Sequence, residues 1–231
     1  MTKSMTIKGV SSMATRQLLA ELVADYTKQT AIDIQIESVG GVNAANRVLA
    51  GEYFDVVFLA SEAIVQLIAS GHIDPTSKVN LVNSGVAVAV KAGAAAPDIS
   101  SEAALKAAVL AAKTISYSTG PSGVALAKLF ERWGITEQIA NRIVQAPSGV
   151  PVGSMVAKGE VELGFQQLSE LIHLDGISIV GPLPPEIQIT TTFSAGVCSA
   201  SAQKAEAGKL LSFMASPAAA AAKLRQGMEV I

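Results

Sequence analysis

Apolar positions along the chain recur in two rhythms that alternate with each other. Residues 6–10 form a short apolar run, and Leu19, Leu22, Val23 and Tyr26 then follow the i, i+3, i+4, i+7 spacing of a helix with one buried face. Residues 32–36 alternate as a strand. Residues 42–50 read as a helix closed by Gly51. Residues 55–60, DVVFLA, form a buried strand, and residues 63–70 a helix ending at Gly71. The order β-α-β-α-β-α predicts a parallel sheet with right-handed crossovers.

The rhythm then changes. Residues 81–90 are a long apolar strand with Gly85 inside it. A helix over 102–112, a strand over 114–118 and a helix over 125–133 follow. In that last helix Leu126, Leu129, Phe130 and Trp133 share one face. A short strand over 142–145, a helix over 153–158 and strands over 163–167 and 177–180 complete the middle section. Beyond the proline-rich residues 182–185, a second long strand spans 187–198. Helices over 202–214 and 217–226 end the pattern, and the alanine run at 218–222 needs only helix propensity to explain it. Two long strands therefore bracket the middle. The expectation is an α/β protein of two lobes, the first built from residues 1–83 and 189–231 and the second from 84–188, with two strands crossing as a hinge.

Composition narrows the function classes. The chain has 231 residues, half of them hydrophobic, 16% charged, and a formal net charge of -2. A large core is available, and no basic surplus invites nucleic acid. An anion site must therefore be made locally, from amides and a few side chains. The single cysteine, Cys198, excludes an internal disulfide and reads as a small buried hydrophobe. The start MTKSMTIKGV has no apolar signal core, and no run is long enough to span a membrane. As written, the protein is expected in the cytoplasm, or in the periplasm if a signal segment once preceded it.

Candidate chemistry gathers where strands become helices. In open α/β sheets ligands bind beyond the carboxyl ends of the strands, where helix N-termini offer free amides and a positive dipole end. Four junctions are small, hydroxyl-rich or glycine-rich: Ser11 and Ser12; residues 38–43, with Gly40, Gly41 and Asn43; residues 118–123, with Ser118, Ser122 and Gly123; and residues 148–153. Serine, glycine and proline are also ordinary turn and cap residues. Arg16 and Arg47 stand near the first two junctions, either as a carboxylate fork or as solvated helix faces. Two distant histidines and one cysteine have no metal-ligand spacing. TGPSG lacks the lysine of a phosphate-binding loop. No metal and no cofactor are expected.

The order GVSS, IESVGGVNAANRVLAGEYFDVVFLASE, SGHIDP, TGPSGVALAKLFERWGI and VAKGEVELGFQQLSEL resembles the periplasmic molybdate-binding proteins of ABC transporters, which are type II solute-binding proteins. The resemblance covers nearly the whole chain. It implies a two-lobe type II periplasmic-binding-protein-like α/β fold closing on an oxyanion. The family's first-strand serine matches Ser12 or Ser11, its second serine falls at Gly40 or Gly41, and its amide contributors match Ser122 or Gly123, and Val150. Its tyrosine falls at Gln167. Two side-chain donors are thus replaced while two arginines lie nearby, which points to a small di- or tricarboxylate. An ABC transporter is the implied partner only if the protein is exported.

Some relatives are similar to bacterial aconitate isomerases, which gives a second, enzymatic expectation. A 1,3-proton shift in an unsaturated tricarboxylate needs a base and an acid. Tyr117, at the end of a strand, and Glu62, just after another, are the candidates; a packed aromatic and a helix-capping residue are the respective alternatives. His72, His173, Glu37 and Asp55 stand less well by position.

Overall fold

The computed structural model describes residues 5–147 and 149–231; Ser148, which opens the fourth junction, lies outside them. In chain order the elements are β1 (Thr6–Ser12), α1 (Arg16–Thr30), β2 (Asp33–Val39), α2 (Gly41–Leu49), β3 (Val56–Ala60), α3 (Ser61–Ala69) and β4 (Val79–Lys91). Next come α4 (Glu102–Ala111), β5 (Ile115–Tyr117), α5 (Pro121–Arg132), α6 (Thr136–Ile139), α7 (Val152–Lys158), β6 (Leu163–Gln167), α8 (Leu168–Leu171) and β7 (Ile177–Pro182). The chain ends with β8 (Thr190–Val197), α9 (Lys204–Ala215), α10 (Ala220–Arg225) and β9 (Glu229–Val230). It divides into two compact units, one of residues 1–83 and 192–231 and one of residues 84–191. The division falls inside β4 and inside β8, so each of these strands gives residues to both units.

In the first unit β2, β1 and β3 are parallel neighbours, and β8 joins β3 antiparallel. The start of β4 pairs with β9, Val82 opposite Val230. Both faces of this sheet are covered, and its inner strand β3 is buried and apolar along its whole length. On one face Leu18, Leu19 and Leu22 of α1 and Leu210, Leu211 and Met214 of α9 pack against Ile7, Phe58 and Ala195. On the other, Ala44 and Val48 of α2 and Ile64 and Leu67 of α3 cover Val10, Val57 and Leu59. Asp55 is buried at the amino end of β3, where it accepts from the Lys8 amide at 2.9 Å, Tyr53 Oη at 2.8 Å and Ser201 Oγ at 2.6 Å.

In the second unit β4 runs antiparallel to β6 and β7, and β5 runs parallel to β6. Leu105 and Val109 of α4, Leu126, Leu129 and Phe130 of α5, and Trp133 fill one face. Val152, Met155 and Val156 of α7 and Leu171 of α8 occupy two smaller clusters. Gly164 lets α7 sit on β6, because a Cβ there would lie 2.5 Å from Val156 Cγ2.

Three sequence expectations shift. Residues 142–145 are not a strand: a 3-10 turn covers Ala140–Arg142, and Ile143 makes a single bridge to Ile115. The cause is Arg142, whose Nη1 donates to the carbonyls of Leu110 (2.7 Å) and Ala112 (2.8 Å) at the carboxyl end of α4. The second long strand begins at Thr190, since Pro185–Ile187 form another 3-10 turn. Ser11 and Ser12 belong to β1 itself, as its last two residues.

Candidate functional site

The first unit brings three strand ends to one edge. The register sets Ser11 opposite Ser38, Ser12 opposite Val39, and Ser11 opposite Phe58. A helix or turn starts directly after each strand. α2 has Gly40 as N-cap with no side-chain cap, and its first intrahelical bond is Ala44 N to Gly40 O at 2.9 Å. The amides of Gly41, Val42 and Asn43 thus have no partner within the helix. The start of α2 lies against β1: a Cβ at position 41 would stand in ordinary contact with Ser12 Cβ, at 3.5 Å.

The hydroxyls at this edge are in different states. Ser11 Oγ is fully buried, lies 2.7 Å from Ser38 Oγ and donates to the Ser12 carbonyl at 3.2 Å. Thr15 Oγ1 donates to the same carbonyl at 3.3 Å. Ser12 Oγ is buried and has no hydrogen-bond partner among the described residues. Ser12 is only 7% exposed.

Other candidates of this unit stand apart from that hydroxyl. Asn43 lies exposed in the first turn of α2 and Glu62 exposed in the first turn of α3. Arg16 is exposed at the start of α1. Arg47 is held within its own unit. It lies in the last turn of α2, where Nη2 meets Glu37 Oε2 at 2.8 Å and Nε meets Glu52 Oε2 at 2.7 Å. Its guanidinium lies 5.3 Å from the Phe54 ring centre. Of the two sequence readings, a carboxylate fork or a solvated helix face, the fork here holds two carboxylates of the chain itself. The same guanidinium holds the Glu37 and Glu52 carboxyls below the usual glutamate range.

In the second unit β5 and β6 end together, Tyr117 opposite Phe165. Tyr117 packs edge-on against Phe130, with ring centres 5.9 Å apart and planes at 72°. Burial pushes its phenol up, so at neutral pH it is a hydrogen-bond donor and not a base. Ser118 Oγ lies 3.0 Å from Ser122 Oγ across the start of α5, which opens with Pro121. Gly123 is pressed on the Ser118 carbonyl so closely that a Cβ would lie 1.6 Å from its oxygen.

Two further candidates of this unit are engaged. The Val150 amide donates to Pro147 O at 3.0 Å and closes a turn. The Gln167 side chain is buried and satisfied by its own unit. Its nitrogen donates to Ser84 Oγ at 2.8 Å and its oxygen accepts from Thr191 Oγ1 at 2.9 Å. Both groups match ligand contributors of the family resembled, and here each makes hydrogen bonds within its own unit.

Sequence reasoning passed over a third group. Gln166 is buried; its Oε1 accepts from the Gly153 amide at 3.1 Å and its Nε2 donates to Glu170 Oε2 at 2.7 Å. Burial pushes the Glu170 carboxyl up to about 7, against the opposing effect of the Gln166 bond. A signal was present in FQQLSE: two glutamines ending an otherwise apolar strand, with a glutamate at i+4 from the first. Among the described residues no three of His, Cys, Asp and Glu gather as a metal site, and no helix is long and apolar enough to cross a membrane.

Strand ends with uncapped helix starts are the arrangement that α/β sheets use for small anions. The chain is 36% identical to an aconitate isomerase from a Pseudomonas species over 232 residues, covering 98% of this chain and 88% of that relative. Its fold is similar to the periplasmic molybdate-binding protein of Azotobacter vinelandii, with a TM-score of 0.81, 24% identity, and 97% and 99% of the two chains covered. It is also similar to a sulfate-binding protein of Mycobacterium tuberculosis, with a TM-score of 0.79, 13% identity, and 98% and 87% covered. The mixed α/β architecture is that of periplasmic binding proteins. The sequence from residue 7 to 229 matches the model of one family along almost its whole length, and the chain belongs to that family, the bacterial extracellular solute-binding proteins.

Proposed function

We propose that this protein binds a small organic or inorganic anion, with a di- or tricarboxylate favoured, at the carboxyl edges of its parallel strands. The observation that carries the reading is the Ser12 hydroxyl, buried without a partner beside the uncapped start of α2. A buried hydroxyl left unbonded costs about 1–3 kcal/mol, and an arriving oxygen atom would remove that cost. The free amides of α2 add donors and a favourable dipole. On the second unit the Ser118 and Ser122 hydroxyls at the start of α5 form a like set. The test is a thermal-shift and calorimetric screen with molybdate, sulfate, citrate and the two aconitates, on the wild type and Ser12→Ala. Binding of a carboxylate that Ser12→Ala weakens at least tenfold supports the reading, and stabilisation by molybdate alone would remove the carboxylate preference.

A second reading is favoured by the curated relative at 36% identity over nearly the full chain. In it the bound anion is aconitate and the protein shifts its double bond without a cofactor. A proton leaves the allylic CH2, the electron pair moves to form the new double bond, and a proton returns at the former vinyl carbon. Amides and hydroxyls near the carboxylates would stabilise the enolate-like charge. Proton NMR of the vinyl signals of cis-aconitate, with and without the protein, decides it. Where the native protein is exported, an ABC transporter is its expected partner, and fractionation of the native cells reads the compartment.

A further inference from the structure

A 1,3-proton shift asks for one group that takes a proton and gives it back near neutral pH. The two residues that the sequence pointed to serve this poorly. Tyr117 keeps its proton, and Glu62 lies exposed in the first turn of α3, facing no described partner that would hold it in one position. Glu170 is placed differently. It sits in α8, which starts directly at the carboxyl end of β6, and its side chain is half-buried. A fixed relay holds it: the Gly153 amide donates to Gln166 Oε1 at 3.1 Å, and Gln166 Nε2 donates to Glu170 Oε2 at 2.7 Å. No ion pair reaches it among the described residues, whereas Glu21, Glu37, Glu52 and Glu102 are each bonded to an arginine.

Resting on the isomerase reading, we propose that Glu170 is the group that removes the allylic proton of the unsaturated tricarboxylate and returns it to the far carbon. The carboxylate Oε1 takes the proton as the C–H bond breaks and the electron pair moves into the new double bond. The resulting carboxylic acid gives the proton to the former vinyl carbon, which regenerates the carboxylate with no cofactor and no net change in charge. Gln166 is a positioning residue. Its amide fixes Oε2 and leaves Oε1 as the oxygen with no described hydrogen bond. Burial raises this carboxyl and the Gln166 bond opposes it. That places its titration where a base is half-ionised at physiological pH, the condition under which one group works in both directions. The other carboxylates with a displaced titration, Glu21, Glu37, Glu52, Asp74, Asp98 and Glu102, are all moved the opposite way.

The experiment follows isomerisation of cis-aconitate by NMR in D2O, with kcat and KM measured across the neutral range for the full chain. Glu170→Gln is expected to lose about 100-fold or more in kcat, with KM and trans-aconitate binding changed less than threefold. The wild type should show an acid limb near neutrality that Glu170→Gln lacks. Gln166→Leu removes the bond that lowers the Glu170 titration, so its limb should move to higher pH while activity survives on the alkaline side. Should Glu170→Gln fail to fold, Glu170→Asp and the Gln166→Leu shift carry the same test. Wild-type turnover with an unchanged kcat and limb in Glu170→Gln, or an unmoved limb in Gln166→Leu, would overturn the assignment to Glu170 and leave the isomerase reading standing. A wild type that binds aconitate with neither isomerisation nor deuterium uptake would overturn the isomerase reading, and the role of Glu170 would go with it.

Discussion

Ser11 Oγ lies 2.7 Å from Ser38 Oγ, and this pairing is what isolates the hydroxyl next to it. The register of β1 on β2 brings the two serines face to face. Side chains alternate along a strand, so Ser12 points away from that pair, toward the start of α2. The Ser12 carbonyl is taken by Ser11 and Thr15, but its hydroxyl is not. One bonded serine and one unbonded one, adjacent in sequence, divide structural support from ligand reception.

Replacing Ser12 with alanine should therefore separate stability from binding. No native hydrogen bond is lost and a buried unsatisfied group is removed, so ligand-free stability should hold or rise by about 1 kcal/mol. Anion affinity should fall by about tenfold, or roughly 1.4 kcal/mol. Paired denaturation and calorimetry measure both. A loss of stability would mean that the hydroxyl has a structural partner after all.

Gly123→Ala should be among the most damaging single-methyl changes in the second unit. Its Cβ would overlap the Ser118 carbonyl oxygen, which is backbone and cannot turn aside as a long side chain can. Either α5 shifts or the 118–120 turn opens, at an expected cost of about 3 kcal/mol or more. Urea unfolding should show a lower midpoint with an unchanged slope, and anion affinity should drop if the start of α5 takes part in binding.

Arg47→Ala should leave anion affinity unchanged, since both faces of the fork are occupied by Glu37 and Glu52. Its effect should be a small loss of stability that shrinks in high salt, as for any exposed ion-pair network. The pH sign follows from the lowered Glu37 and Glu52 titrations. The network stabilises the fold above the ordinary glutamate pKa and is lost as pH falls through the folded values. Arg47→Ala should flatten that acid slope in a thermal-melt series. Reduced affinity with intact folding would restore the arginine to the binding site.

Lys223 has no exposed surface, and its Nζ has no hydrogen-bond partner among the described residues. Burial holds its ammonium below the usual lysine range. Below the unfolded pKa the unfolded chain binds the proton more tightly than the folded one, so this residue costs stability there. The cost is relieved as pH rises through the folded pKa toward the unfolded one. Lys223→Met, of similar length and without the charge, should raise the thermal midpoint at neutral pH and abolish the alkaline gain. Midpoints of the two proteins across neutral and alkaline pH check it.

The alternation of helices and strands was legible because β3 is buried on both faces and the helices that cover the sheet are each buried on one. Leu18, Leu19 and Leu22, for example, meet Phe58 and Ala195 just where periodicity puts an inner face. Positions whose role depends on a distant partner were not legible. Arg47 finds Glu37 and Glu52 through the packing of α2 on its neighbours, and Gln167 finds Ser84 and Thr191 through strands far apart in the chain. The Val150 amide is consumed by a bond back to the Pro147 carbonyl, which no periodicity marks. Glu170 escaped notice because its character comes from burial and from a glutamine, with no motif to announce it.

The first unit is assembled from two segments that flank the second in sequence, with β9 at residues 229–230 paired to the start of β4. During synthesis the ribosome would release the middle segment whole while the opening segment still waits for its last strand and helices. The second unit can mature on the emerging chain as soon as residue 191 is out, and the first only once residues 192–230 have followed. Truncation at the tail should therefore fall on the Ser12 edge and spare the α5 edge.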